Sequence, residues 1–301
     1  MSMIAFTGAV ELGLIFALLA LGIFVAYRIL GVPDLTVEGS FTAGAATGAV
    51  FVASGRPFIG IAAAMLTGSL AGLVSAFLQT KLRVQPILAG ILTMTASYSV
   101  SLYIMGGRPN IPLFREETLF TLLGRLGGNE RLWRMLLPLM IVLIVGAVLG
   151  VFFHTRLGLA VRATGDNEEM VRASSINTTF TKMTGLAIAN AIAALCGALI
   201  AQYQGFADIN MGFGMVVVAL ASLIIGEAIF GRRTVIWNIG AVTVGAVIYR
   251  LILALALSFR LNPANLRAIS ALIVAAAISY PAIKNWWTTN GLKRRERRTR
   301  C

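Results

Sequence analysis

Histidine occurs once in the 301 residues, at position 154, and cysteine only twice, at 196 and 301. Ligands so few and so scattered exclude a disulfide framework and a Cys/His metal centre. A histidine-based catalytic pair has one residue to draw on, at the end of an apolar run. No Gly-x-x-x-x-Gly-Lys-Ser/Thr loop occurs, so the usual cradle for nucleotide phosphates is missing. Gly212-Phe213-Gly214 lacks the third glycine of a dinucleotide fingerprint. Charged residues make up only 12% of the chain, with 25 basic against 12 acidic. The net charge of +13 does not point to nucleic acid, because Lys and Arg sit at the ends of apolar runs and in a terminal block, not along one soluble face. Residues 1–10 hold no Lys or Arg, so a cleavable signal with its basic region is not expected.

What the chain has is apolar length: it is 58% hydrophobic, with 31 glycines. Roughly 20 apolar residues suffice for a helix to cross a bilayer. Nine runs qualify in whole or part: 5–27, 40–54, 57–79, 85–106, 135–154, 183–203, 213–230, 235–257 and 268–283. The expected fold is an all-α polytopic transmembrane bundle of about nine spans, within a range of eight to ten. The second run is short and starts in polar, Gly-containing sequence, which predicts a broken or re-entrant helix. Arg28 is the first positive charge, so the N-terminus is expected outside and the C-terminus inside. Segments 28–39, 80–84, 155–182, 231–234 and 284–301 then face the cytoplasm. They hold roughly twice the Lys and Arg of the opposite side, as the positive-inside rule requires. This divides the chain into a membrane domain over 1–283, containing a cytoplasmic loop at 155–182, and a basic tail at 284–301.

Small residues recur four apart at Gly44/Gly48, Gly68/Gly72 and Gly146/Gly150, the spacing of closely packed membrane helices. Segment 112–132 reads as an amphipathic helix lying along the outer interface. In the tail, Trp286 and Trp287 suit the headgroup boundary, and the basic block behind them suits anionic membrane lipid.

The loop at 155–182 is the informative one. Asp166 or Asn167 can cap a helix whose first turn carries Glu168 and Glu169, with Gly165 allowing a sharp turn before it. The expected element is a short helix over 168–174 displaying Met170, Val171 and Arg172. A solvated surface helix and a docking helix fit these residues equally well. The pattern Thr155-x-x-Gly158-x-x-x-Arg162-Ala163-x-Gly165-x-Asn167, followed by Ile176-Asn177, resembles the coupling segment of permease subunits of bacterial ABC importers. The branch is that of branched-chain amino-acid and simple-sugar permeases. One departure is Ser175, where the family commonly has glycine. A second stretch, Asp34-Leu35-Thr36-Val37-Glu38-Gly39-Ser40-Phe41, resembles a subgroup of tryptophan/tyrosine-type ABC permeases, many of them uncharacterised.

The resemblance implies a non-enzymatic transport subunit in the bacterial plasma membrane. Its implied partners are a cytoplasmic ABC ATPase, a second permease copy and an extracytoplasmic solute-binding protein. ATP and magnesium belong on the ATPase, and no cofactor is expected on this chain. Arg162, Gly165, Asp166, Asn167, Glu168, Met170, Val171 and Arg172 are the expected ATPase-coupling residues, and the solute is expected to be a small polar molecule such as an amino acid.

Ionisable groups within spans cost roughly 2.5–3.5 kcal/mol at the bilayer centre and are functional candidates by default. Glu11 and Arg250 lie at similar depth, which suggests an intramembrane charge pair. Asp34, Thr36, Glu38 and Ser40 form either a cytoplasmic-side loop with a helix cap at Ser40 or an unwound stretch lining a pathway. Asn190 and Asp208 are further pathway candidates. Gly205–Gly214 precedes the seventh run as the polar stretch precedes the second, hinting at a duplicated half. The rival is an ion-coupled secondary transporter acting without an ATPase, its gradient sensed by Glu11, Asp34 or Glu227.

Overall fold

The computed structural model describes residues 3–127 and 130–258. The ninth apolar run and the basic tail lie outside the described residues. The fold is an all-α polytopic bundle. Among the described residues, six helices are long and apolar enough to cross a membrane: α1 (Met3–Ile23, extended by a π-helical stretch Phe24–Ile29), α3 (Pro57–Thr80), α4 (Pro86–Ile104), α6 (Glu130–Phe152), α9 (Thr178–Gln204) and α11 (Val235–Ser258). Two shorter ones, α2 (Thr36–Ala53) and α10 (Met215–Phe230), pack with them in the bundle. Helix α5 (Leu119–Gly127) and the pair α7 (Arg156–Asp166) and α8 (Glu168–Ala173) lie at its ends.

Helices α1 and α9 form the centre. Both are apolar on every side, the pattern of a helix buried all round, and residues 13–26 of α1 are buried throughout. They run antiparallel, since Gly22 meets Ala189, the Cys196 thiol reaches the Ile15 carbonyl at 3.2 Å, and the Tyr203 hydroxyl donates to Glu11 at 2.8 Å. Small residues set the closest approaches. A Cβ on Gly68 would lie 2.3 Å from the Asn190 carbonyl oxygen, and one on Gly44 would lie 2.1 Å from that of Ala194. Gly146 and Gly150 make no approach that close.

The chain is built as two halves of opposite sense. In the first, α1 runs toward the α7–α8 end, an irregular stretch at 30–35 turns back, and α2 then runs parallel to α9, with Ser40, Gly44 and Gly48 against Asn190, Ala194 and Ala198. Helix α3 returns antiparallel to α9 through Gly68 and Gly72. In the second half, α9 runs away from the α7–α8 end and 205–214 turns back. Helix α10 then runs toward the end of α1, where Glu227 meets Arg28, and α11 returns antiparallel to α10 through Gly226 and Gly245. Such inverted-topology repeats place broken helices at mid-depth.

Three expectations are corrected here. Segment 34–39 does not sit on the cytoplasmic side: α2 begins at Thr36, and Asp34 is buried against the middle of α9. Ser40 is not a cap but lies within α2, its hydroxyl bound to Asn190. Segment 112–132 is not wholly an interfacial helix. Pro112 belongs to a two-stranded antiparallel ribbon, β1 (Asn110–Pro112) with β2 (Phe206–Asp208). Leu119 and Phe120 at the start of α5 are buried inside the protein, where the Gln202 side chain accepts the Leu119 N–H at 3.0 Å.

Candidate functional site

The two irregular stretches meet halfway along α9. Asn190 lies 12 residues into this helix of 27, about 18 Å from its start at 1.5 Å per residue. Its amide nitrogen donates to Asp34 Oδ2 at 2.7 Å and to the Leu186 carbonyl at 2.9 Å, and its oxygen accepts the Ser40 hydroxyl at 2.7 Å. Asp34 Oδ1 accepts the Thr36 N–H at 2.9 Å. All four residues are buried. Asp34, Thr36, Ser40 and Asn190 are thus brought together, and the network closes on itself. It ties the start of α2 to α9 because a buried carboxylate without partners is costly.

Glu38, in the first turn of α2, behaves differently. Its Oε1 accepts the N–H groups of Gly214 and Val216 at 3.1 and 3.3 Å, at the start of α10. A carboxylate there satisfies orphan donors and complements the helix dipole. The two half-helices of the repeat are joined N-terminus to N-terminus through this one side chain. Gly212 permits the approach, since a Cβ there would lie 2.2 Å from Thr42 Oγ1. Beside Glu38 opens a cavity of about 170 Å³, lined by Thr42, Met94, Thr95, Tyr98, Ile209 and Phe213 among others. Thr95, Tyr98 and Ser99 are exposed along the middle of α4, with the Thr95 hydroxyl donating to the Ile91 and Leu92 carbonyls; so polar a face is unusual to offer to lipid. Sequence reading missed this wall; the signal was the run of Ser, Thr and Tyr in α4.

The remaining candidates lie elsewhere. Asp208 is in β2, near Asn110 at 3.4 Å and capping Asn210 N–H at 2.8 Å. Glu11 and Arg250 form no ion pair among the described residues. Glu11 takes the Tyr203 hydroxyl, while the Arg250 guanidinium lies 3.7 Å over the Phe16 ring. Similar depth did not put them on facing sides. Glu227 instead lies 3.0 Å from Arg28 and 2.7 Å from Arg232, at the α7–α8 end.

At that end, the Asn167 side chain caps α8 by accepting the Met170 N–H at 3.0 Å. Gly165 does not make a turn before α8. It lies within α7 and packs on the chain leaving α1: a Cβ there would lie 1.8 Å from the Ile29 carbonyl oxygen. Met170 is 57% exposed, with Arg172, Asp166 and Asn167 also exposed and Arg162 half-buried. Val171 is not displayed but buried, since adjacent helical residues project about 100° apart and its side of α8 faces the bundle. Ser175 has φ +62°, the left-handed conformation glycine adopts without strain. Glu168 bonds Lys182 at 2.5 Å and Arg172 at 3.1 Å. Partial burial pushes its carboxyl up, but the hydrogen bond and charge of Lys182 outweigh that and hold it below the usual range.

A family profile described as branched-chain amino acid transport system / permease component matches residues 5–278. A tyrosine transport system permease protein of Clostridioides difficile is 37% identical over 88% of this chain and 88% of its own length. An uncharacterised protein of Rickettsia prowazekii is 35% identical over 90% and 95%. The ribose import permease of Haemophilus influenzae is 28% identical over 84% and 75%. No solved structure matches. A polytopic helical bundle, matched almost end to end by that profile, belongs to the branched-chain amino-acid and sugar permease family of ABC transporters.

Proposed function

We propose that this ABC permease component is one of a pair of copies forming the membrane pathway of a binding-protein-dependent importer of a small polar solute, an amino acid. The solute assignment is supported by the relative at 37% identity, whose name specifies tyrosine, against 28% for the ribose permease. The α7–α8 end faces the cytoplasm in this reading, supported by the cluster of Arg28, Arg156, Arg162, Arg172, Lys182, Arg232 and Arg233. The N-terminus is then outside and the tail inside.

The observation that carries the reading is the α7–α8 elbow. It presents the exposed Met170 outward while Gly165 is seated directly on the backbone leaving α1. That backbone enters the stretch bearing Asp34, and one turn later comes Glu38. An ATPase subunit gripping α8 would therefore act on the point where both half-helices start. It can shift the permease only if its nucleotide states favour different positions of the elbow.

The test is a Met170→Cys variant, crosslinked in the native membrane with and without ATP, beside uptake of L-tyrosine into proteoliposomes. Expected are crosslinks to the ATPase subunit whose yield changes with nucleotide, and uptake only when ATPase, binding protein and ATP are all present. Gradient-driven uptake by this chain alone would overturn the reading in favour of a secondary transporter.

A further inference from the structure

We propose that Glu38 and the cavity beside it form a station for the ammonium group of an amino acid with an apolar or aromatic side chain. The inference rests on the importer reading above and names the feature of the solute that the membrane pathway recognises.

Half of the Glu38 carboxylate is committed and half is not. Oε1 accepts two backbone N–H groups, which hold the group in one orientation. Among the described residues Oε2 accepts no hydrogen bond, although the side chain borders the cavity. Asp34, one turn earlier, has protein partners on both oxygens. Glu38 is only half-buried, so this oxygen is open to the cavity and free to take a donor from whatever occupies it. A cation answers best, because a charge-assisted hydrogen bond is about twice as strong as a neutral one. An anion meets the opposite situation, since Glu38 itself already occupies the start of α10.

The walls define the rest of the molecule. Tyr98 and Phe213 stand 41% and 51% exposed, with Met94 and Ile209 completing an apolar lining. A cavity of about 170 Å³ is of the size that holds one aromatic ring, about 150 Å³ sufficing for benzene. A charged end at Glu38 and an apolar remainder between Tyr98 and Phe213 describe an α-amino acid with an apolar or aromatic side chain better than a sugar, which carries hydroxyl groups all round.

The electrostatics are measurable without transport. Thr95 is exposed and borders the cavity, whereas Cys196 is fully buried. In a Cys301→Ser background, Thr95→Cys would be labelled with methanethiosulfonates bearing ethylammonium or ethylsulfonate, each rate normalised to that of a free thiol. The cationic reagent is expected to react about tenfold faster, the local enrichment a carboxylate-lined cleft produces. Adding Glu38→Gln, which keeps an oxygen for the α10 N–H groups, should bring the two rates together. L-Tyrosine at twice its dissociation constant should slow labelling about threefold, while D-ribose and 3-(4-hydroxyphenyl)propionate should not. Phe213→Leu should weaken protection and leave the charge preference. Equal normalised rates, or protection by D-ribose or the deaminated analogue as strong as by L-tyrosine, would overturn the station. Unselective labelling with intact ATP-driven uptake sinks the station alone; selective labelling with ATP-independent uptake sinks the importer reading instead.

Discussion

Asp34 and Glu38 stand one helical turn apart, yet their surroundings assign them different work. Asp34 is sealed: Asn190 and Thr36 occupy its two oxygens, and Ser40 completes the network. Glu38 bridges to the start of α10 with one oxygen and turns toward a cavity. A buried carboxylate whose valences the protein fills is a structural pin. One left half-filled beside open space is a place for a ligand. The pair also shows why an acidic residue in a membrane segment is not by itself a functional residue.

The comparison breaks most easily at the pin. Asn190→Leu strands Asp34 Oδ2 without its donor while Oδ1 keeps the Thr36 N–H, and unfolding in detergent should show a loss of about 3 kcal/mol. A loss under about 1 kcal/mol would mean the network is not what holds α2 to α9. Gly212→Ala forces a Cβ onto Thr42 and the Glu38 carbonyl, an overpacking expected to cost about 2 kcal/mol. It should also distort the cavity, visible as altered labelling of Thr95→Cys. Glu38→Gln, by contrast, should change stability by less than about 1 kcal/mol, because the capping acceptor survives. Thermal melting of the purified protein checks the contrast with Asn190→Leu directly.

Outside the membrane the expected effects are smaller. Ser175→Gly relieves a left-handed conformation and should raise stability by about 1 kcal/mol, read as a higher melting temperature. The Glu168–Lys182 contact supplies a pH dependence with a definite sign. Because the folded carboxyl sits below its ordinary range, its contribution is fully present above the unfolded value, about 4.3. It is lost only as pH falls through the lower, folded value. Protection factors of α8, exchange rates corrected for their intrinsic pH dependence, should therefore be flat from neutral pH down to about 5 and fall only in stronger acid. Glu168→Gln should remove that acid response.

Much of this was legible in the chain. Apolar runs marked the helices, the polar start of the second run marked the break before α2, and Asn167 was one of two candidate caps for α8. The position of Val171 was not legible, because which side of a six-residue helix faces inward depends on what packs beneath it. The Glu11–Arg250 pairing failed for a related reason: depth along a helix is readable from residue count, but rotation about its axis is not. The β1–β2 ribbon was missed because three-residue strands carry too little periodicity to register.

Composition and the order of polar breaks were enough to require a many-helix membrane protein with a capped helix beyond its fifth crossing. Both follow from local chemistry, since apolar length, charge placement and capping residues act over a few neighbouring positions. Which carboxylate is closed and which is open was decided by contacts between residues more than a hundred positions apart. Asn190 reaches Asp34, and the backbone of Gly214 and Val216 reaches Glu38. Hydrogen bonds act over about 3 Å, so only the packing of α2, α9 and α10 against one another could determine where a free oxygen remains.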